Sequence, residues 1–195
     1  MGSKPNEHNE LDELNKHDIP NEHIQTPWGN DMTFKVAILT ISDRSSKGER
    51  EDSSGPFIRE MVKDLPAEVI HYEIIPDEKE IIIKALKKSA DRLKADLILT
   101  TGGTGLSPRD VTPDATLKVI DKEVPGFSEA MRAESLKKTP HAMISRAICG
   151  IRGSTMIVNL PGSPRGVKEN LSVILPALSH ALSKLKGDPS ECAQE

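Results

Sequence analysis

Apolar runs alternate with amphipathic stretches along the chain from Phe34 onward, and this alternation predicts an α/β fold. Short apolar or β-rich runs of the kind found in buried strands lie at Val36–Ile41, Val69–Ile75, Ala95–Thr101 and Thr155–Leu160. Between them, apolar residues recur every third or fourth position, as on one face of a helix. These helical segments are Phe57–Leu65, Ile82–Leu93 and Val167–Leu185, with shorter helices predicted near 114–120 and 126–137.

The succession of strand, helix and strand is typical of a parallel sheet covered by helices on both sides. We therefore expect a three-layer α/β/α fold with a mostly parallel sheet. The segment Ala147–Ile151 is also apolar, and we expect it to pair with the last strand across a turn at Arg152-Gly153.

The first 32 residues differ in character from the rest. They contain seven acids and two lysines, a net charge of −5, whereas the remaining 163 residues carry +1. A segment so polar cannot bury enough apolar surface to offset the entropy lost on ordering. We expect residues 1–32 to form a flexible or loosely docked acidic tail and residues 33–195 to form one packed domain. A short helix within the tail and an alternative start at Met32 both stay open.

Composition excludes several classes of function. Aromatic residues make up 3% of the chain, too few for a surface that stacks single-stranded nucleic acid, and a net charge of −4 argues against a general polyanion binder. The sequence has no apolar stretch of the roughly 18 residues that a membrane span needs and no secretory signal. Two cysteines cannot form a disulfide framework. We expect a cytoplasmic protein with no nucleic-acid or membrane partner.

Small, hydroxylic or acidic residues follow each of the four predicted parallel strands. These segments are Ser42-Asp43-Arg44, Pro76-Asp77-Glu78, Thr100–Gly105 and Asn159–Pro164. Ligands bind outside the carboxyl ends of strands in open parallel sheets, so we expect the four segments to form one site.

The glycine-rich segment TTGGTG favours a phosphate or anion cradle, because glycines let the backbone approach a ligand and turn its N–H groups toward it. The predicted donors are the amides and hydroxyls of Thr101, Gly102, Gly103, Thr104 and Gly105. No Gly-Lys-Ser/Thr follows, so it is not a Walker loop, and Pro108 replaces the third glycine of a dinucleotide fingerprint. The alternative is a strand-to-helix turn that needs glycine only for its backbone angles.

Two aspartates near this segment are candidate ligands of a metal ion. Thr112-Pro113-Asp114 is typical of a helix start, with Thr112 as the N-cap and Asp114 in the first turn. Asp110 precedes that start, and a carboxylate beside a phosphate cradle can help to hold Mg²⁺. Asp77 follows a strand in the same way and is either a second such carboxylate or the N-cap of a helix that begins at Glu78.

Two further polar segments have alternative interpretations. Asn159–Pro164 offers an amide, a forced turn and a glycine, which suits packing against a planar or phosphorylated ligand but also suits a plain strand-to-helix connector. Arg146 follows Ser145 and is either a bidentate phosphate ligand or a surface ion-pair partner.

Several of these segments together resemble the signature of the molybdopterin-binding (Mog/MoaB-like) family of molybdenum cofactor biosynthesis. The matching segments are Ile41–Arg44, Ile75–Glu78, Thr100–Thr116, Pro125–Arg132, Ser145–Gly153 and Asn159–Pro164. They occur in the family's order, and the resemblance runs from about Phe34 to Lys186, so it covers the packed region and omits the tail.

The resemblance implies a molybdopterin adenylyltransferase, a nucleotidyltransferase that uses ATP as co-substrate and Mg²⁺ to place AMP on the terminal phosphate of molybdopterin with release of pyrophosphate. It implies that no bound organic cofactor is required. It also implies a homotrimer and allows contacts with other proteins of the pathway. The alternative from another class is a carrier or scaffold that holds molybdopterin without chemistry.

The resemblance also assigns roles to residues of the predicted site, and residues 33–195 become the molybdopterin- and nucleotide-binding catalytic domain. The catalytic and metal-binding carboxylates are Asp77 and Asp110. The predicted nucleotide and phosphate ligands are Thr101, Gly102, Gly103, Thr104, Gly105, Asn159, Pro161, Gly162 and Ser163. The predicted molybdopterin ligands are Ser42, Asp43, Ser145 and Arg146.

Overall fold

The structure, a computed structural model, describes residues 33–189, and the predicted tail lies outside them. One six-stranded sheet has the order β2-β1-β3-β6-β5-β4. Its strands are β1 Phe34–Ile41, β2 Ala67–Ile75, β3 Leu97–Thr101, β4 Lys122–Glu123, β5 Cys149–Arg152 and β6 Thr155–Leu160. Strands β1, β2, β3 and β6 are parallel, and the β4–β5 and β5–β6 pairs are antiparallel. The predicted mostly parallel sheet is therefore confirmed.

Six α-helices accompany the sheet in the described part of the chain. They are α1 Asp43–Ser46, α2 Ser54–Met61, α3 Lys79–Lys87, α4 Thr112–Leu117, α5 Pro125–Leu136 and α6 Pro164–Leu185. The sequence did not predict the four-residue α1, the two-residue β4 or the 3₁₀ turn Pro140–Ile144. Even α6, at 22 residues, is not long and apolar enough to cross a bilayer, and no other helix within residues 33–189 is either.

The helices cover both faces of the sheet because strand side chains alternate between two cores. Ile38 and Leu99 belong to the core that also contains apolar residues of α2, α5 and α6. Their neighbours Leu39 and Ile98 belong to the core built with α3 and α4. All four side chains are fully buried, so truncation of one to alanine would cost about 2–5 kcal/mol. The expected three-layer architecture is confirmed.

The hairpin of β5 and β6 also forms as expected, with a turn one residue later than predicted. Arg152 pairs with Thr155, so the turn consists of Gly153 and Ser154. Gly153 adopts φ +55°, a left-handed conformation that glycine accepts without a steric penalty. Cys149 at the start of the hairpin is buried, and this burial raises the pKa of its thiol to about 12.

The register of the parallel strands brings their carboxyl ends to the same edge. Ile41 lies opposite Ile75, while Thr101 lies between Thr40 and Leu160. The residues that follow these positions therefore leave the sheet side by side. This places the four polar segments singled out in the sequence around one edge of the sheet.

Candidate functional site

A cleft of about 390 Å³ lies at the carboxyl edge of the parallel strands. Residues that follow β1, β2, β3 and β6 all line it, together with part of the segment that connects α1 to α2. The lining includes Ser42, Ser45, Asp77, Thr101, Gly102, Gly103, Asp110, Gly162 and Ser163. The structure thus brings the two predicted catalytic aspartates and both glycine-containing segments into one cavity.

Asp77 is held at the end of β2 by two hydrogen bonds with Asp43. The amide of Asp43 donates to Asp77 Oδ2 at 2.7 Å, and the amide of Asp77 donates to Asp43 Oδ1 at 3.0 Å. Helix α3 begins at Lys79 with Glu78 as its N-cap, so the alternative of Asp77 as N-cap is wrong. Burial, together with the charges of Asp43 and Asp110, raises the pKa of the Asp77 carboxyl.

Asp110 reaches the same cleft from the loop before α4. Its Oδ2 accepts a hydrogen bond of 2.8 Å from the amide of Ser107. Within residues 33–189, Oδ1 of Asp110 and Oδ1 of Asp77 accept no hydrogen bond. Each carboxylate is therefore held through one oxygen and keeps the other for a ligand.

The glycines after β3 let the chain pass close to both carboxylates. A Cβ at position 103 would lie 3.1 Å from Asp77 Oδ1, and one at position 105 would lie 2.9 Å from Asp110 Oδ2. Gly102, at φ +104°, leaves no room for a side chain, because a Cβ there would overlap the carbonyl oxygen of Ile41. A Cβ at position 162 would lie 3.1 Å from Gly102 Cα, so the two glycine segments touch.

Arg109 connects the rim of the cleft across two loops. Its Nε and Nη2 donate to the carboxylate of Asp43 at 3.0 and 2.9 Å, and its Nη1 donates to Glu78 Oε1 at 2.9 Å. This guanidinium lowers the pKa of Asp43 and its own pKa rises in return. Sequence reasoning did not select Arg109, although it precedes Asp110 directly.

Asp52 is a second residue that sequence reasoning missed. Its carboxylate lines the cleft and accepts hydrogen bonds of 2.5 Å from the hydroxyls of Thr40 and Tyr72. It also accepts the amides of Ser54 and Gly55 at the start of α2. These four donors occupy the carboxylate and lower its pKa despite the cost of burial.

The hydroxyl of Ser54 extends this arrangement to the opposite side of the cleft. It donates to the carbonyl oxygen of Gly162 at 2.9 Å, which joins positions 108 residues apart in the chain. Asp52 therefore positions the start of α2, and through Ser54 it positions the Gly162 segment. The polar stretch before α2 gave no signal for this, because nothing local shows which of its acids turns inward.

A larger cavity of about 580 Å³ lies beside the cleft and shares Ser163 with it. Thr104, Gly105, Ser145 and Pro161 line this cavity and not the cleft. Its lining also contains four residues with basic side chains: Arg132, Lys138, His141 and Arg165. Ser42 and Ser145, both expected on the molybdopterin side, thus lie in different cavities.

Arg146 and Asp114 form an ion pair with each other. Arg146 Nη2 donates to Asp114 Oδ2 at 2.6 Å, and Nη1 donates to the carbonyl of Asp110 at 3.1 Å. The ion-pair interpretation of Arg146 therefore describes this structure. Helix α4 begins at Thr112 with Val111 as its N-cap, so the predicted N-cap role of Thr112 is wrong, and no side chain caps this helix. The hydroxyl of Thr112 donates to the carbonyl of Gly102 instead.

Asn159 does not face the cleft. It is fully buried, and its Nδ2 donates to the hydroxyls of Thr100 at 3.0 Å and Thr116 at 2.9 Å. Its Oδ1 accepts the amide of Ile148 at 3.3 Å. The side chain is thus a polar link between strands and α4, and we leave it out of the ligand contacts. The hydroxyl of Thr101 is likewise engaged, since it donates to the carbonyl of Pro161 at 2.6 Å.

Among residues 33–189, no group of three or more His, Cys, Asp or Glu side chains could hold a metal ion. The carboxylates of Asp77 and Asp110 can supply two oxygen ligands. Mg²⁺ is commonly held by one or two carboxylates together with substrate phosphates and water. The site therefore suits an ion that arrives with a phosphorylated ligand better than an ion enclosed by protein alone.

Comparison with known proteins agrees with these features. A family model described as "Probable molybdopterin binding domain" matches residues 37–180. A molybdopterin adenylyltransferase of Helicobacter pylori is 45% identical over 160 residues, which is 80% of this chain and 90% of the relative. A molybdopterin adenylyltransferase of Escherichia coli is 43% identical over 147 residues, 74% of this chain and 75% of the relative.

A solved structure shows the same fold. The molybdopterin biosynthesis enzyme MoaB of Thermus thermophilus has 52% sequence identity and a TM-score of 0.77, with 82% of this chain and all of that one covered. Together with the family model and the relatives, this establishes that the chain belongs to the molybdopterin-binding domain family of molybdenum cofactor biosynthesis.

Proposed function

We propose that this protein is a Mg²⁺-dependent molybdopterin adenylyltransferase, which transfers AMP from ATP to the terminal phosphate of molybdopterin and releases pyrophosphate. The observation that carries the proposal is the cleft in which Asp77 and Asp110 lie beside two glycine segments. The relatives named molybdopterin adenylyltransferase, at 43–45% identity, support the same activity.

Asp77 and Asp110 are the proposed ligands of Mg²⁺. The pKa of Asp77 is raised by burial and by the charges of Asp43 and Asp110. A cation in the cleft would therefore reduce the repulsion between these carboxylates. The unused Oδ1 atoms of both carboxylates suit this role. When bound, Mg²⁺ supplies charge neutralisation at the phosphate oxygens.

The ATP phosphates are proposed to bind in the cleft, against Gly102, Gly103, Gly162 and Ser163. Gly162 and Ser163 are exposed, and Ser163 is the N-cap of the 22-residue α6. The positive end of the helix dipole favours an anion at this point, where Pro164 has no N–H and the Gly166 amide donates to the Ser163 hydroxyl. Ser42 and Ser45 add hydroxyls from the opposite loop.

Molybdopterin is proposed to bind in the adjoining 580 Å³ cavity. Arg132, Lys138 and Arg165 outnumber the one lining acid, Glu169, with which Lys138 and Arg165 pair, so the lining carries a net positive charge that favours a phosphorylated ligand. Ser145, Thr104 and Gly105 add polar contacts. Because Ser163 lines both cavities, a phosphate at their junction reaches the nucleotide without a large movement of the protein.

The reaction then needs no protein nucleophile. An oxygen of the terminal molybdopterin phosphate attacks the α-phosphorus of ATP, a new P–O–P bond forms, and the bond to the β-phosphate breaks with its electron pair leaving on pyrophosphate. The residues hold two polyanions in line, which is mainly catalysis by positioning and by electrostatic stabilisation. Arg109 contributes by holding Asp43, and Asp43 in turn holds Asp77.

The test is pyrophosphate release from purified protein with ATP, Mg²⁺ and molybdopterin, each omitted in turn. We expect release only when all are present, and loss of release in Asp77→Asn and Asp110→Asn variants that remain folded. Binding of molybdopterin without any ATP-dependent product would instead establish the carrier alternative.

The proposal has three further parts. The protein forms a homotrimer, it is located in the cytoplasm, and residues 1–32 are not needed for turnover. Light scattering on purified protein tests the trimer, and fractionation of cells tests the location. Comparison of the full chain with a chain that starts at Met32 tests the tail, and we expect equal turnover because the proposed site lies wholly within residues 33–189. Contacts with other proteins of the pathway are expected and can be tested by pull-down with those proteins.

A further inference from the structure

The cleft has a marked imbalance of charge. Four acidic residues line it, namely Glu51, Asp52, Asp77 and Asp110. Within the described residues, Arg50 is its single positively charged lining residue. A nucleoside triphosphate adds further negative charge, and one divalent cation does not neutralise both the carboxylates and the triphosphate.

Two other guanidinium groups near the cleft, those of Arg109 and Arg146, are already engaged. Arg109 forms three hydrogen bonds with Asp43 and Glu78, and Arg146 is held by Asp114 and by the carbonyl of Asp110. Each would have to break charged hydrogen bonds before it could meet a phosphate. Arg50 forms no ion pair or hydrogen bond with any residue of 33–189.

The position of Arg50 lets it reach a ligand at the mouth of the cleft. It lies in the connection between α1 and α2, two residues before Asp52, whose four hydrogen bonds anchor the end of that connection. Arg50 itself is exposed, so its guanidinium is free to turn toward the cleft. An arginine can grip phosphate with two parallel hydrogen bonds, and it is charged at every relevant pH.

We propose that Arg50 binds the β- and γ-phosphates of ATP and so determines preference for a triphosphate over a monophosphate. This inference rests on the proposed function, because it assumes that the cleft holds the nucleotide. The β- and γ-phosphates leave together as pyrophosphate, so Arg50 holds the leaving group and not the AMP moiety.

The experiment compares Arg50→Ala and Arg50→Lys with Lys47→Ala in the full chain. Lys47 is an exposed cation of the same connection that does not line the cleft. The measurements are the KM for ATP, the inhibition constant of inorganic pyrophosphate, and the dissociation constant of AMP. Loss of charged hydrogen bonds to phosphate predicts an increase of about 10-fold to 100-fold for ATP and pyrophosphate in Arg50→Ala. AMP binding should not change, Arg50→Lys should be intermediate, and Lys47→Ala should behave like the wild type.

Three outcomes would overturn the inference: an unchanged KM for ATP in Arg50→Ala, an equal loss of AMP affinity, or an equal loss in Lys47→Ala. Failure of the proposed function looks different, because the wild-type protein itself would then release no pyrophosphate from ATP and molybdopterin. In that case, binding of inorganic pyrophosphate to the wild type and to Arg50→Ala still tests the anion contact by calorimetry.

Discussion

Asp43 and Asp77 each donate a backbone amide to the carboxylate of the other, at 2.7 and 3.0 Å. This reciprocal pair joins the loop after β1 to the loop after β2, and it places two negative charges close together. Arg109 compensates only one of them directly, since it binds the Asp43 carboxylate in a bidentate manner. The hydrogen bonds from Arg109 lower the pKa of Asp43, whereas burial, with a smaller contribution from the charges of Asp43 and Asp110, raises the pKa of Asp77.

The raised pKa of Asp77 predicts the acid limb of the activity profile. If ionised Asp77 is needed, turnover should fall with decreasing pH at a value above 3.8, the ordinary pKa of an aspartate. The cause is mainly burial, so the limb should persist at high salt. It should be measured as kcat/KM against pH with Mg²⁺ below saturation, because bound Mg²⁺ favours the ionised form and moves the limb toward lower pH.

Replacement of Asp77 by asparagine separates its catalytic role from its structural one. A raised pKa means that the folded state binds the proton more tightly than the unfolded state does, so ionised Asp77 destabilises the fold above its pKa. Asp77→Asn should therefore lose turnover and yet melt at a higher temperature at pH 7. The gain should disappear near pH 3, where the wild-type carboxyl is neutral as well. Glu80→Gln, an exposed acid of α3, should change neither quantity. Full turnover in Asp77→Asn would remove its proposed role.

Two glycines with left-handed backbones predict unequal effects of alanine. Gly153 has φ +55° and no atom within 4 Å of the added Cβ, so Gly153→Ala should cost about 1 kcal/mol of backbone strain. Gly102→Ala adds contact with the backbone oxygen of Ile41 to such strain and should cost about 3 kcal/mol or more. Urea denaturation measures both. Similar costs for the two variants would show that the close approach at Gly102 can relax.

The fold could be predicted from sequence because burial leaves a periodic record. Strand β1 is apolar on both faces, which predicts a strand in the interior of a sheet. Helix α6 repeats its apolar residues every third or fourth position, which predicts a helix with one buried face. Strand β4 has only two residues, both exposed, and so leaves no pattern. Helix α4 begins at Thr112, one residue before the expected start at Pro113, because the Thr112 hydroxyl donates to the Gly102 carbonyl and does not cap the helix.

The candidate site could be predicted only as far as topology determines it. Parallel strands bring the segments that contain Asp77 and Asp110 to one edge, and the structure has both in one cleft. Which polar side chains face inward depends on partners that are distant in sequence. Asn159 donates hydrogen bonds to Thr100 and Thr116 inside the protein, and Asp52 accepts one from Tyr72, 20 residues away. No local pattern reports such partners.

The burial of Asn159 predicts a loss of stability without a loss of nucleotide affinity. Asn159→Ala leaves the amide of Ile148 without that acceptor and the hydroxyls of Thr100 and Thr116 without that donor, which should cost about 2 kcal/mol. The KM for ATP should stay within about twofold of the wild type at a temperature where the variant is folded. Urea denaturation and steady-state kinetics provide the two values. A large rise in KM with unchanged stability would return Asn159 to the nucleotide contacts.

Tyr72 offers a direct optical test of the arrangement around Asp52. It is the single tyrosine of the chain, so the rise in phenolate absorbance with pH reports this residue alone. Burial and the hydrogen bond to Asp52 raise the pKa of Tyr72 to about 12, against an ordinary value of 10.0. The native protein should therefore show its phenolate transition near 12, and the protein unfolded in urea should show it near 10.

The variant Asp52→Asn should shift this transition of the native protein toward lower pH, because the negative charge that opposes ionisation of Tyr72 is gone. Asp64→Asn removes an exposed acid elsewhere and should leave the transition in place. The same Asp52 variant should also be less stable at pH 7. The pKa of Asp52 is lower in the folded than in the unfolded state, so its negative charge stabilises the fold at pH values above the unfolded pKa. This contribution is lost as the pH falls through the folded pKa. A native transition near 10 in the wild type would show that Tyr72 is not bound to Asp52 in solution, and the role of Asp52 in positioning α2 would then lose its support.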